Sequence, residues 1–509
     1  MGWNKPIRRA GILLSFLLVN ALVLLGIGGV WSYLNTGADR SQLLQDSRSL
    51  RLHPQEAVWL DSLAPHPEFK PHHRSEILRD YLTSWAYRNQ AMATGSPAWL
   101  GDIYTDSAAA KVGAQLRLFR DTGLEVRQVN LSHRLRPLFM SADQTLAVIR
   151  DEGAELFRQY LQDGEVVSEE AVYTAQEVVL LLEDGFWRIR NLREVPVPQE
   201  LATPMQEQEI PEVDLSGVLG VNYYPAAQPW DHFGPAYDPD VNRADLQRIR
   251  AMGFTTVRVF FPYAASGGPR PSQAYLGHLE DFLDQARQQD VKVILTLFDF
   301  YGDYSLPDWP ATLAHARAVS DHVGSHPALL AWDLKNEPDL DFESRGRDRV
   351  LAWLGVLSAK LHEWQPGVAR TIGWSAPAAA GQMESQVDFI SFHFYTEPEG
   401  FTDQVQALKA RVTKPLMLGE FGRSSYGGVW NLFRGSQQAQ AAYVQAVYKD
   451  AQNLGVPLLC WTLYDYEEVP RQVVGQLPWR RAPQKHFGLL LPDGTPKAAA
   501  RVFAPGPKK

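Results

Sequence analysis

Two glutamates close short apolar runs in this chain. Ala331-Trp332-Asp333-Leu334-Lys335-Asn336 runs into Glu337 and then Pro338. Pro415-Leu416-Met417-Leu418-Gly419 runs into Glu420, 83 residues further on, and then Phe421-Gly422. If both runs are neighbouring parallel strands of one barrel, both carboxylates surface at the same rim. Two carboxylates across a cleft can divide the cleavage of a glycosidic bond, one protonating the leaving oxygen and the other attacking the sugar carbon. The acid must keep its proton near neutral pH, which burial and an opposing charge favour; the nucleophile must be ionised, which hydrogen-bond donors favour. A spacing of about 5–5.5 Å between them would select retention of configuration.

The elements around these glutamates alternate. Apolar runs predict strands at Leu219–Tyr223, Thr256–Phe261, Val291–Phe298, Leu329–Leu334, Arg370–Gly373, Phe389–Phe394, Leu416–Leu418 and Leu458–Leu463. Amphipathic stretches between them predict helices at Asp240–Met252, Ser272–Gln289, Ala311–Gly324, Arg345–Trp364 and Ser436–Leu454. Eight strands in residues 215–509 suit an α/β (β/α)8 barrel. A doubly wound sheet is the competitor, but no glycine-rich phosphate turn follows the first strand.

A barrel of this kind carries its site at the carboxyl ends of its strands. Those ends supply Asn222 and Tyr224, Arg258, Phe298 and Asp299, Asn336 and Glu337, His393 and Tyr395, Glu420, and Trp461. The Asn-Glu-Pro of the fourth strand, His-x-Tyr of the sixth, Gly-Glu-Phe-Gly of the seventh and tryptophan of the eighth together resemble clan A glycoside hydrolases, closest to family 5, the cellulase and mannanase family. The resemblance covers residues 215–505. It implies that Glu337 is the general acid/base, with a raised pKa, and Glu420 the nucleophile. It further implies that Asn336 bonds the sugar 2-hydroxyl, Tyr395 partners the nucleophile, Arg258 supports its charge and Trp461 stacks on the sugar. His393 fits a residue that supports a carboxylate or touches substrate. Arg258 is also compatible with a core ion pair, and His393 and Trp461 with ordinary packing. Asn222 and Asp299 complete the expected substrate-binding set. No cofactor or metal is expected.

The third strand ends Leu297-Phe298-Asp299-Phe300 where many family 5 cellulases have a histidine, which leaves β-mannan or another β-linked polymer open. The loop from Tyr466 to Phe487 carries Arg471, Trp479, Arg480, Arg481 and Lys485. A cationic loop suits an acidic or substituted exopolysaccharide; a solvated surface loop is the simpler reading. Trp230, Trp309, Trp374, Trp430 and Trp479 are further flat surfaces on which a pyranose could stack.

The first half of the chain is a different material. Lys5, Arg8 and Arg9 precede Gly11 to Leu34, 24 residues without a charge, long enough to cross a bilayer of about 30 Å. Residues 1–35 therefore read as a cytoplasmic tip and single-pass anchor, with the remainder periplasmic or extracellular. Residues 36–69 read as a polar, helix-compatible stalk ending in prolines. Residues 70–195 read as an α+β domain: helices at Arg74–Ala91 and Ser107–Thr122, then short alternating strands with Asp163-Gly164 and Glu183-Asp184-Gly185 as hairpin turns. This order resembles the nuclear transport factor 2-like cone fold, with a binding or spacing role and no acid/base set of its own. Residues 196–214, rich in proline and glutamate, read as an extended linker.

Composition narrows the partners. A formal charge of −9 argues against nucleic acid. The one cysteine, Cys460, excludes an internal disulfide and reads as a buried thiol. His66, His72 and His73 lie in a proline-rich stretch that does not suggest a metal site. The expectation is a membrane-anchored, retaining β-glycosidase, endo-acting on a polysaccharide during its synthesis or export. A non-hydrolytic carbohydrate-binding scaffold subunit and a transglycosylase are the alternatives.

Overall fold

A computed structural model describes residues 19–20, 23–24, 56–62, 69–202, 213–474 and 477–503. The chain divides into two compact units, Met1–Thr203 and Pro204–Lys509. Most of the expected anchor lies outside the described residues, and among those described no helix is long and apolar enough to cross a membrane.

In the first unit, β2 (Glu125–Met140), β3 (Leu146–Gln162), β4 (Glu165–Glu183) and β5 (Phe186–Glu194) form an antiparallel meander. The two tightest turns are those the sequence marks: Asp163 and Gly164 have φ of 53° and 85°, and Asp184 and Gly185 of 51° and 78°. Positive φ at both central residues is the twist-matching geometry of a two-residue hairpin. The strands are longer than expected because the breaks read into them are bulges; β3 and β4 shift register between Asp151 and Ala154 without ending. A further strand, β1 (Glu56–Trp59), pairs parallel with β2, where a helix-compatible stalk was expected. Gln199–Ala202 forms one helical turn inside the expected linker.

Helices α1 (Pro71–Thr94) and α2 (Asp106–Thr122) belong to the same unit, α1 with proline in its first turn and both ending on a left-handed glycine, Gly95 or Gly123. Ile77, Tyr81 and Trp85 of α1 join Val126, Leu135, Ile149, Val178 and Trp187 in one core. The fold also gathers a polar set invisible in the sequence. Nδ1 of His133 donates to Oδ2 of Asp151 (2.6 Å), and the Tyr81 hydroxyl donates to the same oxygen (2.9 Å). All three are sealed from solvent, so they tie helix to sheet as a hydrogen-bonded network rather than facing a cleft.

In the second unit eight parallel strands close a barrel: β6 (Leu219–Asn222), β7 (Thr256–Phe260), β8 (Lys292–Thr296), β9 (Leu329–Asn336), β10 (Ala369–Trp374), β11 (Ile390–Phe394), β12 (Leu416–Phe421) and β13 (Leu458–Cys460), with β13 pairing back to β6. The strands carrying the two glutamates are not neighbours, since β10 and β11 lie between β9 and β12. Barrel curvature still brings their carboxyl ends to one rim. Helices α3 (Pro239–Ala251), α4 (Gln273–Gln288), α5 (Trp309–Val323), α6 (Arg347–Trp364), α7 (Phe401–Lys409) and α8 (Gln437–Asn453) lie between successive strands, except that β10 and β11 are joined by a loop with one 3-10 turn, Glu384–Gln386. Asp238, Ser272 and Ser436 cap α3, α4 and α8 by accepting from backbone amides, each cap contributing about 1 kcal/mol. Ile294, Ala331, Met417 and Leu459 pack into one apolar cluster with Leu215.

Candidate active site

β9 and β12 run further than the apolar pattern suggests, and this places the glutamates. Glu420 lies inside β12; Glu337 is the first residue past β9, with φ 47° and ψ 51°. A left-handed glutamate is strained, and such strain persists where surrounding structure over-determines it. Register shifts fall beside the site, between Phe392 and His393 against β12 and between Thr371 and Gly373 against β9, re-aiming the side chains at the rim.

One oxygen each of Glu337 and Glu420 and a ring nitrogen of His393 all lie within 4.8 Å of one another. Glu420 is nearly sealed, whereas the Glu337 side chain is 26% exposed. Arg258, from β7 and 1% exposed, donates Nη1 to Oε1 of Glu420. Tyr395 donates its hydroxyl to the other oxygen at 2.6 Å. Both oxygens of the expected nucleophile thus accept from the donors the sequence named.

Arg258 is itself fixed by Asp333. Nε donates to Oδ2 of Asp333 at 2.9 Å, Thr296 Oγ1 donates to the same oxygen at 2.7 Å, and the Gly373 amide donates to Oδ1 at 2.9 Å. Burial alone would weaken the guanidinium's hold on its charge, but Asp333 and Glu420 outweigh it and raise its pKa above the ordinary arginine range. Glycine at 373 leaves room for this group, since a Cβ there would stand 2.9 Å from Arg258 Nη2; at 419 a Cβ would meet Ser391 Oγ at 2.3 Å. Asp333 was not singled out from the sequence. The signal existed: a carboxylate in the middle of a strand buried on both faces requires a partner, and Arg258 was the inward cation.

The expected raised pKa of Glu337 is corrected by the structure. Burial does push its carboxyl up, but His393, whose Nδ1 donates to Oε1 at 2.9 Å, with Arg258 and Lys335, outweighs burial and holds it below the usual range. His393 shows the converse. Burial disfavours its charge, yet Glu420, whose Oε2 is 3.6 Å from Nδ1, and Glu337 raise it above the ordinary histidine value. Both shifts favour the proton shared by this pair on the imidazole over the carboxylate.

The other expected residues fall in two groups. Asn222 is fully buried, donating to the Gly419 carbonyl (2.9 Å) and accepting from Arg258 (3.1 Å); it braces the guanidinium behind the cleft instead of facing substrate. Asn336 is partly open but engaged at both ends, accepting from Arg258 (2.9 Å) and donating to Asp299 (3.0 Å). Burial, reinforced by Glu420 and opposed by Lys335 and Arg258, pushes the Asp299 carboxyl up to about 6. Lys335, not foreseen, is buried beneath and donates to the carbonyls of Asp299 (2.7 Å) and Asn336 (2.6 Å). Trp461 lies just past β13 and is 6% exposed, its ring 6.1 Å from those of Trp230 and Phe260. Of the other tryptophans, Trp309 and Trp374 are core, whereas Trp430 and Trp479 are exposed. Cys460 is buried, and burial pushes its thiol well above the ordinary range.

Residues 360–456 match the family model described as glycosyl hydrolase catalytic core. The matched stretch holds His393, Tyr395 and Glu420 and leaves out Arg258 and Glu337. No curated protein matches the chain. Similar solved structures include an exo-beta-1,4-mannosidase from Opitutaceae bacterium strain TAV5 (19% identity over 57% of this chain and 61% of that one, TM-score 0.47). Others are a GH5_18 protein from Streptomyces cattleya in complex with GlcNAc (18% identity, 56% and 78%, TM-score 0.46) and a β-glucuronidase from Ruminococcus gnavus in complex with C6-substituted uronic isofagomine (15% identity, 74% and 68%, TM-score 0.46). The chain spans less than two thirds of the length of the first of these.

Proposed function

We propose that the barrel is a retaining β-glycosidase of the clan A type, closest to family 5, endo-acting on a β-linked exopolysaccharide. The observation that carries this reading is the close approach of Glu337 and Glu420 at one rim, with only Glu420 clamped by Arg258 and Tyr395. Glu420 attacks the anomeric carbon as Glu337 protonates the departing glycosidic oxygen, leaving a glycosyl ester on Glu420. Glu337, now a carboxylate, takes a proton from water, whose oxygen attacks the same carbon and frees Glu420. Two inversions retain configuration.

Before the first step the proton on His393 passes back along its hydrogen bond to Glu337. A bound sugar displaces water from the exposed face of Glu337, and desolvation favours its neutral form. The uncharged run Gly11–Leu34 with its basic flank supports an anchored enzyme with its barrel outside the cytoplasm, acting on polymer at the membrane surface beside a synthesis or export assembly. The α+β order of residues 70–195 supports a nuclear transport factor 2-like accessory domain. A panel of β-glucans and β-mannans tests the reading: Glu420→Gln loses turnover on whichever polymer the native protein cuts, and Glu337→Gln costs on the order of 10²- to 10⁴-fold. A native protein that binds these glycans but cuts none would support the scaffold alternative.

A further inference from the structure

The loops that follow β12 and β13 carry a feature that bond cleavage does not require. Leu432 and Phe433 are consecutive, 70% and 71% exposed, with φ of 57° and 58°. Two bulky side chains in the left-handed region are costly, on the order of 1–3 kcal/mol each, and need a surrounding frame to hold them. The loop provides it. Phe433 donates its amide to the Gly428 carbonyl (3.0 Å), Leu432 to Val429 (3.1 Å) and Arg434 to Asn431 (3.2 Å), while the Asn431 side chain donates to the Tyr426 carbonyl. Gly435 closes the loop against Tyr426, whose carbonyl oxygen would lie 1.9 Å from any Cβ there. Trp430 packs across to Trp479 of the next loop, their rings 6.1 Å apart, and Val429 and Leu477 are exposed beside them.

A hydrogen-bonded loop thus holds aliphatic and aromatic tips in water, which soluble proteins do where an apolar medium or partner receives them. The charge of the same loops identifies the medium. Residues 423–434 and 466–487 carry six arginines and lysines against two acids, Glu467 and Glu468, in a chain of net charge −9. Glu468 is taken by Arg481 and Lys485, and Arg423 pairs with Glu397 outside these ranges, but Arg434, Arg471 and Arg480 stand exposed. Tryptophan beside leucine and phenylalanine, with exposed Arg434 and Arg480 next to them in the chain, matches the headgroup boundary of an anionic bilayer. A sugar platform would use flat rings with hydrogen-bonding neighbours, and neither Leu432 nor Phe433 offers a partner for a hydroxyl.

We infer that this rim patch, Val429 to Phe433 with Leu477 and Trp479, docks the barrel mouth onto an anionic lipid surface. The mouth then opens where a polymer leaves the membrane. This docking is independent of hydrolysis, because lipid contact is read without turnover.

The full chain, reconstituted into phosphatidylcholine vesicles with or without phosphatidylglycerol, tests it. Phe433→Cys and, separately, Leu432→Cys are labelled with an environment-sensitive fluorophore; Cys460 is buried and stays unlabelled. Gln452→Cys, exposed at the end of α8 that leads into the opposite barrel face, is the control. With phosphatidylglycerol, labels at 432 and 433 should shift to shorter wavelength and be quenched by spin-labelled lipid, and the label at 452 should not. Adding Arg434→Glu with Arg480→Glu should abolish the shift. Labels at 432 and 433 that behave like the one at 452 would overturn the inference. So would a shift produced by soluble acidic or neutral glycan without vesicles, which would make the patch a sugar platform.

Discussion

Nδ1 of His393 donates to Oε1 of Glu337 at 2.9 Å, so the expected acid is hydrogen-bonded to a histidine that competes for its proton. The pair sets a pH window. The His393 pKa is raised from 6.5, so its contribution to stability is full below about 6.5 and is lost as pH rises through the higher folded value. The Glu337 pKa is lowered from 4.5, so its contribution is full above about 4.5 and is lost as pH falls through the lower folded value. Together they support the fold best between those limits. The urea midpoint of His393→Ala, followed from pH 4 to 8 (about the range over which both groups titrate), should lose this dependence. The same variant should move the alkaline limb of kcat/KM downward, since the proton that Glu337 uses is then no longer held by the pair up to the raised titration of His393. An unmoved limb would show that Glu337 does not exchange its proton with His393.

Arg258 joins Asp333 and Glu420, and all three are buried. Removing one member of such a set strands a charge, which costs about 3–5 kcal/mol. Arg258→Met should therefore lower thermal stability sharply as well as activity. Arg258→Lys should recover part of the stability and little of the activity, because one ammonium cannot reproduce the fork that reaches Asp333, Asn336 and Glu420 at once. Calorimetry beside turnover separates the two effects.

Asp299 gives the opposite stability sign. Its folded pKa of about 6 lies above the ordinary 3.8, so ionisation costs stability as pH rises through that range. Asp299→Asn should raise the melting temperature at pH 7 relative to the native protein, with no difference at pH 3.5 (about where the native carboxyl is already neutral). The same change weakens the anchor of Asn336 Nδ2, and kcat/KM should fall about 10- to 100-fold, the worth of a charge-assisted hydrogen bond. Equal melting at both pH values would remove Asp299 from this role.

The barrel was legible because strand and helix periods alternate cleanly from Leu219 onward, and the glutamates were legible because each ends an apolar run at a turn. Hairpins at Asp163-Gly164 and Asp184-Gly185 were legible for the same local reason. What escaped depends on contacts made at a distance. Asp333 and Lys335 looked like strand residues until Arg258 and the carbonyls of Asp299 and Asn336 were placed against them. The parallel strand Glu56–Trp59 exists through its pairing with Ser132 to Leu135. The proton balance of Glu337 turned on how near His393 comes, and no spacing in the chain encodes that distance.

The central claim, catalysis by Glu337 and Glu420 through a glycosyl ester, is tested most directly by proton NMR of the first product released from a cut β-glycan, before mutarotation. The β-anomer should appear first. An α-anomer appearing first would mean a single inversion and would contradict the roles assigned to both glutamates.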